Sequence, residues 1–456
     1  MLRVFRHYIP QIPLIVFAGD LAVLLLAFQT PKLMGTWIAE GSVAPRLALV
    51  VGLVAFVLNL GGLYDVRLQL GRRELLARLL TCQAVAGLLI AAVGFALPNL
   101  RLGRAAFLQI GAVATLGLIA WRAAWLGRWS HRRMRIRALV LGTGAIGKVI
   151  AGLEETGARP FTILGFLDDN PTAPETVPAG HVLLGKTQDL SALVEDTKPD
   201  LIVVAQMNRR GNFPAKALID CRMRGIQVED WPTFYEKETG KILVTDLRPS
   251  WLIFSDGFVK TSRTEIIKRL LDLSLSLVGL VLALPIMAAV AFIIKLESRG
   301  SVLFRQARLG QNGRVFILNK FRSMREDAEK DTGPVWAQDR DPRITRVGSF
   351  LRRTRLDELP QLFNVLLGDM SFIGPRPERP EFVYALQKQI PFYMERLSVK
   401  PGITGWAQVR YRYGATVEDA IEKLQYDLYY IKNLSLFLDL VILIATIQVV
   451  LFARGR

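Results

Sequence analysis

Apolar and polar residues fall along this chain first in long blocks and then in short alternations. Four apolar runs open it, at residues 13–28, 44–63, 75–97 and 105–126. Each approaches the ~20 residues that carry a helix across a bilayer core, so residues 1–130 are predicted to form a four-helix transmembrane bundle. The first run has no convincing small-residue cleavage site and three more follow it, so it is expected to stay as a membrane helix. The pattern then shortens. Residues 135–142 read as a strand ending in a glycine turn, 145–155 as a helix and 161–167 as a strand. Residues 200–205 read as a third strand, 214–224 as a helix and 226–228 as a short strand. Pro171, Pro174 and Pro178 mark a loop. Strands alternating with helices predict a parallel, doubly wound sheet, a Rossmann-like domain over 136–250. A fifth apolar run lies at 270–296, and a last one at 434–452 that either spans the membrane or lies at its surface. Residues 263–456 are predicted to form a mainly helical α+β domain.

Charge orients these blocks. The 456 residues carry 58 Lys and Arg against 40 Asp and Glu, a formal charge of +18, while 51% are hydrophobic. Apolar bulk and excess basic charge are segregated, as in an integral membrane protein and unlike a nucleic-acid binder; no nucleic-acid partner is expected. Arg3 and Arg6 precede the first run, Arg67, Arg72, Arg73 and Arg78 follow the second, and Arg128, Arg132, Arg133, Arg135 and Arg137 follow the fourth. The other two loops carry less, so both ends of the bundle are expected in the cytoplasm, as in an inner-membrane protein. Asp20 lies inside the first run; pairing within the bundle is the simpler account of it, a functional carboxylate the other. The two cysteines, Cys82 and Cys221, suggest neither a metal cage nor an oxidising compartment.

The fifth run holds Pro285 near its middle and has basic flanks on both sides, Lys268 and Arg269 before, Lys295 and Arg299 after. A straight span would put the basic C-terminal region outside. A re-entrant hairpin bent at Pro285 keeps both ends in the cytoplasm, and is the reading preferred here over an ordinary fifth span.

Three motifs carry candidate chemistry. Gly142-Thr-Gly144-Ala-Ile-Gly147 stands between a strand and a helix, where glycines let backbone amides approach a pyrophosphate, and Asp168 lies where a ribose-binding acid is expected. The one Tyr-x-x-x-Lys, Tyr384 to Lys388, lies outside that domain, so packing or nucleotide sensing without chemistry is the simpler role. Asp339-Arg-Asp341 is formally a metal-binding Asp-x-Asp, but Pro342 follows and Asp341 reads as a turn residue. The third stretch, Arg352 to Pro377, holds Asp357 and Glu358 just before a helix that starts near Pro360, amid Arg352, Arg353 and Arg355. Adjacent carboxylates among arginines either hold a hard cation such as Mg²⁺ with phosphate oxygens, or are helix-end acids paired with their neighbours.

Asp357-Glu-Leu-Pro-Gln-Leu-Phe-Asn-Val, Gly374-Pro-Arg-Pro377 and Lys400-Pro-Gly-Ile-Thr-Gly-Trp-Ala-Gln-Val409 resemble the blocks of the bacterial sugar transferase family. These are polyprenyl-phosphate sugar-1-phosphate transferases, or monotopic phosphoglycosyltransferases. Phe304–Gly310 and Lys320-Phe-Arg-Ser-Met324 resemble further blocks in the same order, and the resemblance covers residues 263–456. The whole organisation resembles the large exopolysaccharide-initiating branch; Phe5-Arg-His-Tyr8 and Leu247–Asp256 look like its exosortase-associated subgroup.

The resemblance implies a mechanism. Asp357 corresponds to the nucleophile that attacks the β-phosphate of a UDP-sugar, releases UMP and forms a phosphosugar–aspartyl intermediate, with Glu358 beside it. Undecaprenyl phosphate in the bilayer then takes the phosphosugar. Mg²⁺ is the implied cofactor, with Asp357 and Glu358 as its ligands. Arg376 and Pro377 match the family's phosphate-binding Arg-Pro, Lys320 and Arg322 are implied phosphate or nucleotide contacts, and Pro285 falls at the bend of the family's re-entrant helix. Leu284 stands where many relatives carry Ser. A homodimer and downstream glycosyltransferases are further expected partners. Two other readings stand beside this one: a membrane-anchored Rossmann enzyme acting on nucleotide sugars, and a non-enzymatic, nucleotide-sensing membrane scaffold.

Overall fold

The computed structural model describes residues 2–4, 7–9, 11–35, 43–64, 72–128, 135–156, 161–170, 176–206, 213–244, 249–325, 341–411, 414 and 416–451. The chain divides into two compact units, one running essentially to Thr239 and one from Gly240 onward.

The first unit opens with apolar helices α1 (Gln11–Leu33), α2 (Val43–Leu60), α3 (Arg72–Ala96) and α4 (Arg104–Arg128). Each is long and apolar enough to cross a membrane. Helix α1 packs chiefly on α4, and α2 on α3. Their shared core mixes large and small residues, Leu24, Phe28, Val54 and Leu118 with Ala27, Ala86 and Ala114. Small residues let helices approach where lipid removes the hydrophobic drive to associate. The opposite faces also remain apolar, with Leu26, Leu88, Leu108 and Leu116 exposed, as a lipid solvent requires. Asp20 is paired within this bundle: the Arg122 guanidinium donates to both its oxygens, at 3.2 and 2.5 Å, and to the Leu63 carbonyl.

The sheet of this unit comprises β1 (Ile136–Leu141), β2 (Phe161–Leu167), β3 (Leu183–Gly185), β4 (Leu201–Val204) and β5 (Gln227–Asp230). Its order is β3-β2-β1-β4-β5, all parallel. Helices α5 (Ala145–Thr156), α6 (Leu190–Thr197), α7 (Ala215–Met223) and α8 (Trp231–Thr239) accompany it. Leu139, Val140, Leu141 and Leu201–Val204 are buried throughout, the uninterrupted apolar runs of strands covered on both faces.

The second unit begins with a short helix α9 (Pro249–Phe254) and then α10 (Ser262–Glu297), 36 residues or about 54 Å at 1.5 Å per residue. Strands β6 (Leu303–Leu309) and β7 (Val315–Phe321) form an antiparallel hairpin. Helices α11 (Arg346–Thr354) and α12 (Gln361–Leu367) follow, then β8 (Ser371–Ile373), α13 (Pro380–Leu386) and β9 (Gly402–Thr404), which pairs in parallel with β8. Helices α14 (Trp406–Arg410), α15 (Val417–Lys432) and α16 (Leu436–Leu451) close the unit over a core of Leu309, Ile373, Trp406, Leu424, Leu428 and Tyr429.

Helix α10 differs from the expected hairpin in one respect. It starts eight residues before the apolar run, capped by Thr261 Oγ1 accepting from Thr264 N, and continues through Pro285 without an intervening turn. A proline removes one intrahelical hydrogen bond. Both halves of the helix are packed on the unit: Leu280 and Ala283 lie on Leu362, and Val290 and Ile294 on Phe321 and Leu351. The buried positions Asp272, Ser276, Leu280, Ala283, Val290 and Ile294 form one stripe, and the other side exposes Leu277, Val281, Leu284, Phe292 and Leu296.

Candidate functional site

Helix α11 ends at Arg355, whose φ of 59° places it in the left-handed region and turns the chain sharply. One tight helical turn follows, Leu356–Glu358, and Pro360 leads into α12. This brings Asp357 and Glu358 against β7, whose Lys320 faces them, and against the segment after β8 that carries Arg376. Asn364 of α12 fixes the register: its Oδ1 accepts from Asn319 N and its Nδ2 donates to the Ile317 carbonyl, both on β7.

The two carboxylates are both buried but differently treated. Glu358 Oε1 receives Arg376 Nη2 at 2.7 Å, with Lys320 Nζ at 3.5 Å and Arg355 Nη1 at 3.7 Å. Burial works to raise its pKa, and the cations Arg376, Lys320 and Arg355 overcome it, holding Glu358 well below the usual carboxylate range. Asp357 Oδ1 is buried with no hydrogen-bond partner. Burial, then the neighbouring Glu358 charge, push its carboxyl up against the pull of Lys320, Arg352 and Arg376. Lys320 itself is drawn down to about 8, chiefly by burial, despite Glu358. Of the two acids, Glu358 is paired with neighbouring arginines as the helix-end alternative expects, while Asp357 Oδ1 has no such partner.

The other sequence candidates fall into place unevenly. Lys320 and Arg376 join the pair, and Pro377 is buried next to them, its carbonyl accepting from Arg308. Arg322 is not among them. Its guanidinium is turned to the end of α10, donating to the carbonyls of Arg299 at 2.7 Å and Ser298 at 3.0 Å. Composition could not separate this helix-terminating arginine from a phosphate contact two residues away. Asp341 is a turn residue, its Oδ1 accepting from Arg343 N two residues on, whereas Asp339 lies outside the described residues. Arg355, named from the sequence beside the two acids, does lie near Glu358, whereas Asp272 and Arg396 had no part in the motifs; Asp272, an acid within an apolar run, carried the one available signal.

In the sheet domain, Gly142, Gly144, Gly147 and Asp168 do meet, at the C-terminal ends of β1 and β2. Gly142 has φ +111°, and a Cβ on Gly147 would lie 2.6 Å from the Gly142 carbonyl oxygen. Asp168 Oδ2, however, accepts from Thr143 N and Thr143 Oγ1, both at 2.7 Å. The expected ribose acid is therefore engaged by the glycine loop itself.

For a magnesium ion, no group of three or more His, Cys, Asp or Glu comes together among the described residues. Asp357 and Glu358 with an unpartnered Asp357 Oδ1 still suit a cation that takes one or two carboxylates and completes its shell with substrate phosphates and water.

A family model described as bacterial sugar transferase matches residues 263–453, and one described as a CoA-binding domain matches 59–210. The chain is 44% identical over 238 residues, 52% of its length, to a UDP-N-acetylgalactosamine-undecaprenyl-phosphate N-acetylgalactosaminephosphotransferase of Aeromonas hydrophila, covering 55% of that protein. It is 44% identical over 348 residues, 74% of its length, to a UDP-glucose:undecaprenyl-phosphate glucose-1-phosphate transferase of Klebsiella pneumoniae, covering 72% of it. Over 189 residues, 40% of its length, it is 42% identical to an exopolysaccharide production protein of Rhizobium leguminosarum bv. phaseoli, covering 94% of it. The chain thus spans about half the length of the Aeromonas relative and nearly all of the Rhizobium one. The chain belongs to the bacterial sugar transferase family, a family of enzymes.

Proposed function

We propose that the protein moves a sugar-1-phosphate from a UDP-hexose or UDP-N-acetylhexosamine to undecaprenyl phosphate, in two steps through Asp357. One Asp357 carboxylate oxygen attacks the β-phosphorus. The bond to the bridging oxygen breaks and UMP leaves with the electron pair. A phosphate oxygen of the lipid then attacks the same phosphorus, and Asp357 departs as a carboxylate. The observation that carries this reading is the division of labour between two adjacent acids. Glu358 is held as a permanent anion by three cations, while Asp357 keeps a buried oxygen with no partner and a raised pKa. An anion whose charge is poorly stabilised is the better nucleophile, and pairs of acids pushed apart in this way mark assigned roles. Arg376 and Lys320 are placed to receive the charge of the diphosphate. Mg²⁺ held by Asp357 and Glu358 would neutralise phosphate charge when bound. The test is UMP release from a panel of UDP-sugars with undecaprenyl phosphate and Mg²⁺. UMP release together with transfer of the sugar phosphate to the lipid supports the reading, and no release from any UDP-sugar contradicts it.

We also infer that α10 enters the membrane from the cytoplasmic side and does not cross it. What supports this is that both ends of the helix touch the same unit. Arg269 donates to the carbonyls of Val365 and Leu366 near one end, and the carbonyls of Ser298 and Arg299 at the other accept from Arg322. The exposed apolar face between them then meets lipid, and the site opens where a lipid phosphate resides. Cysteines introduced before Lys268 and after Lys295 are expected to be labelled only from the cytoplasmic side. Labelling of the second from outside would establish a span. The proposed setting is the inner membrane, with the product handed to downstream glycosyltransferases.

A further inference from the structure

Arg376 approaches Glu358 from a stretch with no regular structure, since β8 ends at Ile373. Beside the backbone pairing of Gly374 with Thr404 and of Pro375 with Gly402, side chains of three residues hold β8 and the chain up to Arg376. Asp272 of α10 accepts from Ser371 Oγ and Phe372 N, each at 3.0 Å. Tyr430 of α15 donates to the Ile373 carbonyl at 3.2 Å. The third lands on Arg376 itself: Arg396 Nη2 donates to the Arg376 carbonyl at 3.0 Å. Arg396 is buried and fully oriented. Its Nε and Nη2 donate to Asp427 Oδ2 at 3.2 and 2.9 Å, and its Nη1 donates to the Tyr393 hydroxyl at 3.0 Å. Asp427 is equally buried, on α15.

A buried ion pair contributes little net stability, because desolvation offsets the attraction; what it fixes is geometry. Here the geometry it fixes is the backbone of the arginine that meets Glu358. We infer that Asp427 and Arg396 are positioning residues for the transfer reaction: Asp427 orients Arg396, Arg396 holds the Arg376 carbonyl, and the Arg376 side chain is thereby aimed at Glu358 and the donor diphosphate. This rests on the proposed phosphate-binding role of Arg376. Neither residue touches the carboxylate pair, so both act through Arg376 alone.

The test is a double-mutant cycle on UMP release in the full-length protein. Arg376→Ala is expected to lower kcat/KM about a hundred-fold and Asp427→Asn about ten-fold, in the range of a lost charge-assisted contact and of its loosened support. Because Asp427 works through Arg376, the double variant is expected to lose no more than Arg376→Ala alone. Losses that multiply, or an Asp427→Asn protein of full activity, would overturn the inference. Full activity of Arg376→Ala would instead overturn the reading of Arg376, and the inference with it. Should Asp427→Asn fail to fold, Arg396→Lys takes its place, since an ammonium keeps the charge against Asp427 but lacks the planar fork that reaches both acceptors.

Discussion

Asp357→Asn is expected to abolish UMP release, by at least about a thousand-fold, while leaving the protein as stable as before or more so. The two halves of that expectation have one cause. Asp357 is buried, and its Oδ1 has no hydrogen-bond partner. Its pKa is raised, so the folded protein binds this proton more tightly than the unfolded chain does. Stability therefore falls as pH rises from the unfolded value through the folded one, and at neutral pH the ionised carboxyl costs stability. An amide keeps the size, removes that cost and removes the nucleophile. A thermal melt read beside UMP release separates this from misfolding. A folded Asp357→Asn protein that still turns over would contradict the assignment. A large loss of stability would mean that Asp357 serves the fold.

A second large effect is expected from a residue that bears no chemistry. Gly374, Gly402 and Gly405 bring two stretches of backbone into direct contact beside the β8–β9 pair. A Cβ on Gly402 would collide with the Gly374 nitrogen and the Thr404 oxygen, and one on Gly405 with the Gly374 oxygen. Backbone cannot swing aside as a side chain can, so Gly402→Ala is expected to destabilise the second unit by about 3 kcal/mol or more. Strand β8 of this pair ends three residues before Arg376, so activity goes with it. Gly144→Ala is the control, since a Cβ there meets nothing within 4 Å. It is expected to leave UMP release unchanged. Wild-type melting and activity in Gly402→Ala would show that the two stretches are not packed so closely.

Why some of this was legible in the sequence and some was not follows from the range of the interactions. Strand β4 is a continuous apolar run, and β1 and β2 are largely apolar, broken only by Arg137 and by Thr162 and Gly165; glycine, proline or charge bounds each, and local pattern is enough to read them. Strand β3, three residues after a proline-rich loop, is too short to carry a period, and α6 behind it went unread with it. Helix α10 was legible as an apolar run but not at its start, where a threonine cap and a charged first turn extend it. The same limits hold in the site. Asp357 and Glu358 stand out because proline and arginines surround them within a few residues. Arg376 and Lys320 could be named from their motifs. Which arginine faces Glu358 and which ties off α10 depends on contacts made across some twenty residues, by Arg322 to Ser298 and by Arg376 to Glu358. The Arg396–Asp427 pair, 31 residues apart, left no local mark.

The proposed chemistry is tested most directly by looking for the intermediate itself. UDP-sugar labelled in the sugar, supplied with Mg²⁺ and without lipid acceptor, should release about one equivalent of UMP per active site, the stoichiometry of a covalent step that stops half-way. Peptide mapping should then find the phosphosugar on Asp357, and added undecaprenyl phosphate should discharge it into lipid. Labelled protein in which residue 357 carries nothing, or UMP release that requires the lipid from the outset, would contradict an aspartyl intermediate and leave direct transfer in its place.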